Sequence, residues 1–270
     1  MIFWKSGKEF RALMVSLFLW GSIIGLGTGV LSIHLSQALA NPAAPFAPGE
    51  RLRFQLRWTM IPAGEAIMEV LPMKTIDGVQ VYHFRLTAES NAFVDMFYKV
   101  RDRIDAYANV NMTHTVRYHH KQREGDTRRN VRVEFDWQKE MALYNDGKRD
   151  KQIDILPGTF DPLSVFYFTR MLDYNKSKVI ERPVSDGKKC VTGVARIIKK
   201  ETITIPSGVY DTYLLEPDLK HVGGVFEKDK NAKIKLWVTA DERCIPVKIA
   251  SKVAIGSFVG ELIAMEKGDS

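Results

Sequence analysis

Asp102 is the first residue of this 270-residue chain whose type and placing could do chemistry. Tyr98, Val100, Ile104 and Ala106 alternate along one apolar strand face, and Asp102 falls in the same register. A carboxylate desolvated alone carries a penalty of several kcal/mol, so Asp102 needs either a neighbouring arginine near a strand end or a place in a pocket. The histidines offer less. His114 and His120 share a face but stand about 20 Å apart at strand rise, too far to hold one metal, and His119 points the other way. No Cys/His spacing of zinc type occurs, so no metal and no cofactor is expected. The two cysteines, Cys190 and Cys244, fit either two buried free thiols or a disulfide. A disulfide there would close a loop of about 55 residues and contribute roughly 4 kcal/mol. Lys121, Arg123, Arg128 and Arg129, joined by Arg132, form the densest basic cluster. They could contact phosphates or anionic headgroups at about 1 kcal/mol per charge, or guard the edge of a solvated hairpin. Nucleophile elbows, H-E-x-x-H, Walker loops and C-x-x-C pairs do not occur beyond Ala40.

The N-terminus sets the compartment in which such residues would act. Lys5, Lys8 and Arg11 precede an almost continuously apolar run from Ala12 to Leu35, and Ala38-Leu39-Ala40 is a small-x-small site ahead of Asn41-Pro42. Residues 1–40 are therefore expected to be a secretory signal cut after Ala40 or, given the length of the run, an N-terminal anchor. Residues 41–48 read as a linker, 49–264 as a single mainly-β domain and 265–270 as a tail. The net charge of +7 favours anionic partners. In the expected periplasmic setting nucleic acid drops out, leaving lipid, an envelope protein or the membrane surface.

The elements that must position these residues are mostly strands. Leu52, Phe54, Leu56, Trp58 and Met60 alternate with Arg51, Arg53, Gln55, Arg57 and Thr59. Pro62-Ala63-Gly64 reads as a turn into a strand over 65–71, and Asp77-Gly78 as a turn into one where Tyr82, Phe84, Leu86 and Ala88 face inward. Residues 91–97 break the alternation, as a helical turn or a loop over a pocket. A hairpin over 113–137 turns at Gly125-Asp126 and carries the basic cluster. Asp161 as N-cap, Pro162 and the apolar residues 163–172 predict the one convincing helix, which must be covered on most sides. Strands are expected near 179–184, 190–199, 201–205 and 209–216, with a longer loop over 218–230. In the final stretch, 233–263, Ile234, Leu236 and Val238 alternate with Lys235, Trp237 and Thr239, turn at Asp241-Glu242, and return through Val247 and Ile249. The predicted architecture is a curved antiparallel sheet or open β-barrel with one apolar helix packed against it.

An ordered series of strings strengthens this picture. Phe46-Ala47-Pro48-Gly49-Glu50-Arg51-Leu52, Ala63-Gly64-Glu65-Ala66, Asp161-Pro162-Leu163-Ser164 with Arg170, Pro206-Ser207-Gly208-Val209-Tyr210, and Trp237 with Pro246-Val247 closely resemble DUF 3108, an exported bacterial family of unknown function. The resemblance implies compartment and architecture, and no activity. A looser likeness of the final hairpin to periplasmic lipoprotein carriers implies only shape. Together these lead to a non-enzymatic envelope protein binding a hydrophobic or amphipathic component, a lipid or a lipoprotein acyl chain. Trp58, Phe84, Phe97, Asp102, Trp137, Phe166 and Trp237 are its candidate contacts. The alternative is a structural or assembly factor that docks another envelope protein through a sheet edge or the basic hairpin. A third reading, an enzyme acting on glycan or lipid, would use Asp102.

Overall fold

Two-residue alternation governs most of the chain, and it folds accordingly as a meander. A computed structural model describes residues 44–218, 233–253 and 256–268. The expected signal or anchor, the start of the linker and nearly all of the expected 218–230 loop lie outside the described residues. The elements, in order, are β1 (Arg51–Trp58), β2 (Ile61–Ile76), β3 (Val79–Ser90), α1 (Ala92–Asp95), β4 (Arg101–Asn109), β5 (Thr115–Glu124), β6 (Thr127–Asp136), β7 (Met141–Asn145), β8 (Asp150–Asp154), α2 (Ser164–Thr169), β9 (Val179–Ser185), β10 (Cys190–Ile205), β11 (Gly208–Pro217), β12 (Lys233–Thr239), β13 (Pro246–Val253) and β14 (Gly256–Glu266).

All fourteen strands form one sheet in the order β8-β7-β6-β5-β4-β3-β2-β1-β14-β13-β12-β11-β10-β9. Every pairing is between chain neighbours except β1 with β14, which joins the two halves in register from Arg51 opposite Glu266 to Trp58 opposite Phe258. The sheet curls without closing. Between its two edge strands the segment before α2 crosses the concave side, where Phe160 makes a parallel bridge to Val184 and the Ser185 amide donates to the Phe160 carbonyl at 2.8 Å. The concave face is the core: Leu52, Phe54 and Leu56 of β1, Met68 and Val70 of β2, Phe84 and Leu86 of β3, and Phe258 and Leu262 of β14 are all buried.

Several local expectations are corrected by packing. The turn after β1 falls at Thr59-Met60, not at Pro62-Ala63-Gly64, so Met60 leaves the inward face and stands 85% exposed. Pro62 sits inside β2 opposite Arg57, where the register shifts between Leu56 and Arg57 and a missing donor is tolerated. Gly64 is required by close approach, because a Cβ there would lie 2.0 Å from the Glu89 carbonyl oxygen on β3. The two short strands expected over 190–205 are a single long β10 with a shift between Ile197 and Lys199. The helix ends early: the amides of Arg170, Met171 and Leu172 reach back three residues to Tyr167, Phe168 and Thr169 in a tightened turn.

The expected disulfide is absent, and both cysteines are free. Cys190 packs beside the main core, 3.3 Å from the Thr159 hydroxyl. Cys244 belongs to a separate cluster with Tyr174, Ile180, Tyr213, Leu215 and Val238, and its thiol donates to the Asp241 carbonyl at 3.3 Å. Burial pushes the Cys244 thiol up to about 11, with the Asp241 carboxylate adding to the effect. A reductant is accordingly expected to leave the thermal midpoint unchanged in circular dichroism. A fall on reduction would show that the thiols do join.

Candidate functional site

The helix is the element around which a site can form, and two buried polar anchors, one at each end, fix it against the sheet. Asp161 is fully buried: its Oδ1 accepts from the amides of Leu163 and Ser164 at 2.8 and 3.0 Å, and its Oδ2 accepts from the Thr115 hydroxyl at 2.6 Å. Burial raises its pKa, and these hydrogen bonds oppose that rise. At the other end, Arg170 forms a bidentate pair with Glu50, Nη1 to Oε1 at 2.6 Å and Nη2 to Oε2 at 2.9 Å, with both side chains buried. Its Nε donates to the Arg243 carbonyl at 3.1 Å, and its guanidinium lies 5.3 Å from the Phe46 ring. Between these anchors Tyr167 stacks on Phe84 with ring centroids 3.9 Å apart.

Between α2 and the β9–β13 part of the sheet lies an apolar cavity of about 100 Å³. Leu163, Phe166, Ile180, Arg182, Leu236 and Ile249 are among its walls. Ile180, Arg182 and Val184 alternate along β9 and all line it; Ile180 and Val184 are buried, whereas Arg182, on this edge strand, is solvent-exposed. Its guanidinium lies 4.3 Å from the centre of the Phe168 ring, and among the described residues it has no carboxylate partner. Partial burial lowers its pKa. A polar cleft of about 540 Å³ lies at the Arg170 end, but Tyr174 and Tyr213, two of its hydroxyl donors, are already bonded to the Thr169 carbonyl and the Asn175 side chain, each at 2.8 Å.

The candidate contacts read from the sequence do not gather in one place. Phe166 lines the cavity. Phe84 is wholly buried against Tyr167 and Phe46. Trp58 packs over Gly256 at the β1–β14 seam. Trp137 donates to the Thr115 carbonyl at 2.8 Å and lies beside His114, whose pKa burial lowers. Trp237 stands on the face opposite the cavity, donating to Glu201 at 2.9 Å under Lys248. Phe97 is 73% exposed. Asp102 is buried at the far end of the curl, where its Oδ1 accepts from the Arg123 amide at 2.7 Å and its Oδ2 lies 3.6 Å from His120 Nε2. Its partner is thus the backbone of the neighbouring arginine and not the guanidinium. Lys121, Arg123, Arg128 and Arg129 are exposed about the β5–β6 turn.

Two features had no signal in the local pattern. Nothing in the strand pattern marks Arg182, and only the folded structure places it on the cavity lining. On the convex face, buried Asp105 gathers His83 Nε2 at 2.8 Å, Arg85 Nε at 2.9 Å and Arg103 Nε at 2.6 Å. Burial alone would raise the Asp105 carboxyl, but the bonds from His83, Arg103 and Arg85 outweigh it and hold the group well below the usual range. Among the described residues no three His, Cys, Asp or Glu side chains converge to hold a metal. No described helix is long and apolar enough to cross a membrane.

Comparison with known proteins agrees with the architecture. The family model described as "Protein of unknown function (DUF3108)" matches residues 53–263. A solved β-barrel-like protein of the DUF1849 domain of unknown function from Brucella abortus is similar over 83% of this chain and 100% of its own, at 10% identity and a TM-score of 0.53. A candidate lipoprotein from Parabacteroides distasonis aligns over 82% of this chain and 98% of its own, at 11% identity and a TM-score of 0.35. None of the curated proteins matches the sequence.

Proposed function

The chain belongs to the DUF3108 family, whose description carries no activity, and from its own residues we propose that it is an exported envelope protein that binds an amphipathic lipid by its acyl end. The observation that carries this reading is the cavity between α2 and β9–β13: its walls are apolar except for Thr169, whose hydroxyl donates to the Phe166 carbonyl, and Arg182, which has no carboxylate partner among the described residues. An apolar cavity of about 150 Å³ is enough to take up benzene, so about 100 Å³ accommodates a few methylene or methyl groups of a chain end, not a whole phospholipid. Arg182 on the wall offers an anionic headgroup a planar fork of donors. A charge on an edge strand also discourages edge-to-edge pairing, and that role is compatible with ligand contact. Export rests on the pattern of residues 1–40.

The test is native mass spectrometry of residues 41–270 recovered from a bacterial envelope, followed by lipid extraction. The expected result is an acyl lipid in stoichiometric amount, reduced at least about tenfold by Ala195→Phe, which fills the cavity wall, and several-fold by Arg182→Glu. Both variants should melt as the parent does. Ligand-free parent protein, or equal lipid in all three, would remove the cavity from the account and leave a role in docking another envelope protein.

A further inference from the structure

Five of the exposed large apolar side chains lie at two adjoining turns at one end of the sheet: Met60 in the β1–β2 turn and Ile61 at the start of β2, and Phe93, Met96 and Phe97 on and after α1. The turns are held together. Asn91 Nδ2 donates to the Pro62 carbonyl at 2.7 Å, and the Asn91 amide donates to the Ala63 carbonyl at 3.0 Å. Asn91 also caps α1, accepting from the Val94 amide at 2.9 Å, and Arg101 Nη2 donates to Asp95 Oδ2 at 2.6 Å. The exposed rings of Phe93 and Phe97 meet edge to face at 5.7 Å. This apolar surface is therefore a braced feature of the fold. Single exposed apolar residues need no explanation, but a contiguous group marks an interaction site.

The basic hairpin stands directly beside it. The Gly125 amide donates to the Lys99 carbonyl at 2.8 Å, and the Tyr98 ring occupies the space into which a Cβ on Gly125 would point, at 2.6 Å. Lys99, Lys121, Arg123, Arg128 and Arg129 are all exposed; the charge of Lys99 acts on the Asp95 carboxylate, and among the described residues the other four have no ion pair. Some cations elsewhere on the sheet are matched, Arg53 with Glu65 at 2.9 Å, Arg57 with Glu261 at 2.5 Å and Arg117 with Glu134 at 2.7 Å, while others such as Arg196 and Lys252 have no ion pair among the described residues; what sets this group apart is its density beside the apolar turns. Edge protection accounts for part of the cluster, since β7 pairs only as far as Arg132 and leaves Arg128 and Arg129 beyond its reach. It does not account for Lys121, which is paired on both sides, with Arg103 of β4 and Asn130 of β6.

We propose that this end of the sheet, with Met60, Ile61, Phe93, Met96 and Phe97 as apolar contacts and Lys99, Lys121, Arg123, Arg128 and Arg129 around them, docks on an anionic lipid bilayer. Apolar side chains reaching the acyl boundary beside unpaired cations at headgroup level are the two parts of interfacial binding. The unmatched cations select an anionic surface, and the surface they form is a separate feature from the cavity, so it stands whether or not the cavity holds lipid.

Residues 41–270 contain every described strand and both buried clusters, and they are the protein to test. Co-sedimentation with phosphatidylethanolamine vesicles containing phosphatidylglycerol should show binding that weakens with added salt and is far weaker on phosphatidylcholine vesicles. Each cation near an anionic surface is worth about fivefold in partition. Arg128→Glu with Arg129→Glu should therefore weaken binding by at least about 25-fold, and Met96→Ser with Phe97→Ser by about tenfold or more. All four positions are exposed, so thermal midpoints should stay with the parent. Absence of parent binding to anionic vesicles, or equal binding by both double variants, overturns the proposal; the first result would leave a protein partner as the occupant of the patch.

Discussion

Arg170→Met is expected to lower the unfolding free energy by about 3–5 kcal/mol, because it leaves the Glu50 carboxylate buried without its counter-charge. The Arg243 and Pro45 carbonyls would lose donors at the same time. In a domain of this size each kcal/mol moves the midpoint by about 2–4 °C, so a fall of roughly 6–20 °C follows. Adding Glu50→Met should restore much of the loss, since replacing both members of a buried pair by apolar groups is often neutral. Urea denaturation of the parent, single and double variants checks this. A single variant within about 1 kcal/mol of the parent, well inside the range for losing a buried charge partner, would mean that water reaches Glu50 and solvates it.

Asp105→Asn is expected to cost about 2 kcal/mol at neutral pH, a figure kept low because Arg85 and Arg103 are partly solvated. Its larger consequence is a changed acid response. The folded pKa of Asp105 lies below its unfolded value, so the folded state binds fewer protons there than the unfolded state does. The stabilisation is fully present above about pH 4 and is lost as pH falls through the ordinary carboxylate range toward the lowered value. The parent should therefore lose stability on acidification faster than the variant, and the gap between their urea midpoints should narrow between neutral pH and about pH 3. A gap that stays constant over that interval would show that Asp105 gains nothing from His83, Arg85 and Arg103.

The strings that carry the family resemblance turn out to be a set of structural contacts. Glu50 and Arg170 lie far apart in the chain and meet as the buried pair. Asp161, expected only as an N-cap, also reaches across to Thr115 on β5. Gly64 sits where β2 and β3 approach too closely for any side chain. Each residue could be singled out in the sequence, but its partner could not, because local patterns describe neighbours along the chain and these contacts join residues from distant strands.

What the sequence by itself determined is the antiparallel meander, the inward faces of β1, β3 and β12, the apolar helix that must be covered and the basic hairpin. All of these follow from periodicity and turn chemistry within short windows. Which side chains lie beside one another was decided only by the tertiary structure. Alternation states that a residue faces the concave side, but the same alternation results whether that side is packed solid or leaves a cavity. The tertiary packing leaves space beside Phe166 and Arg182 and fills it around Phe84. The cysteines show the same division. Their presence is visible in the sequence, whereas their separation into two clusters is set by how fourteen strands wrap around one short helix.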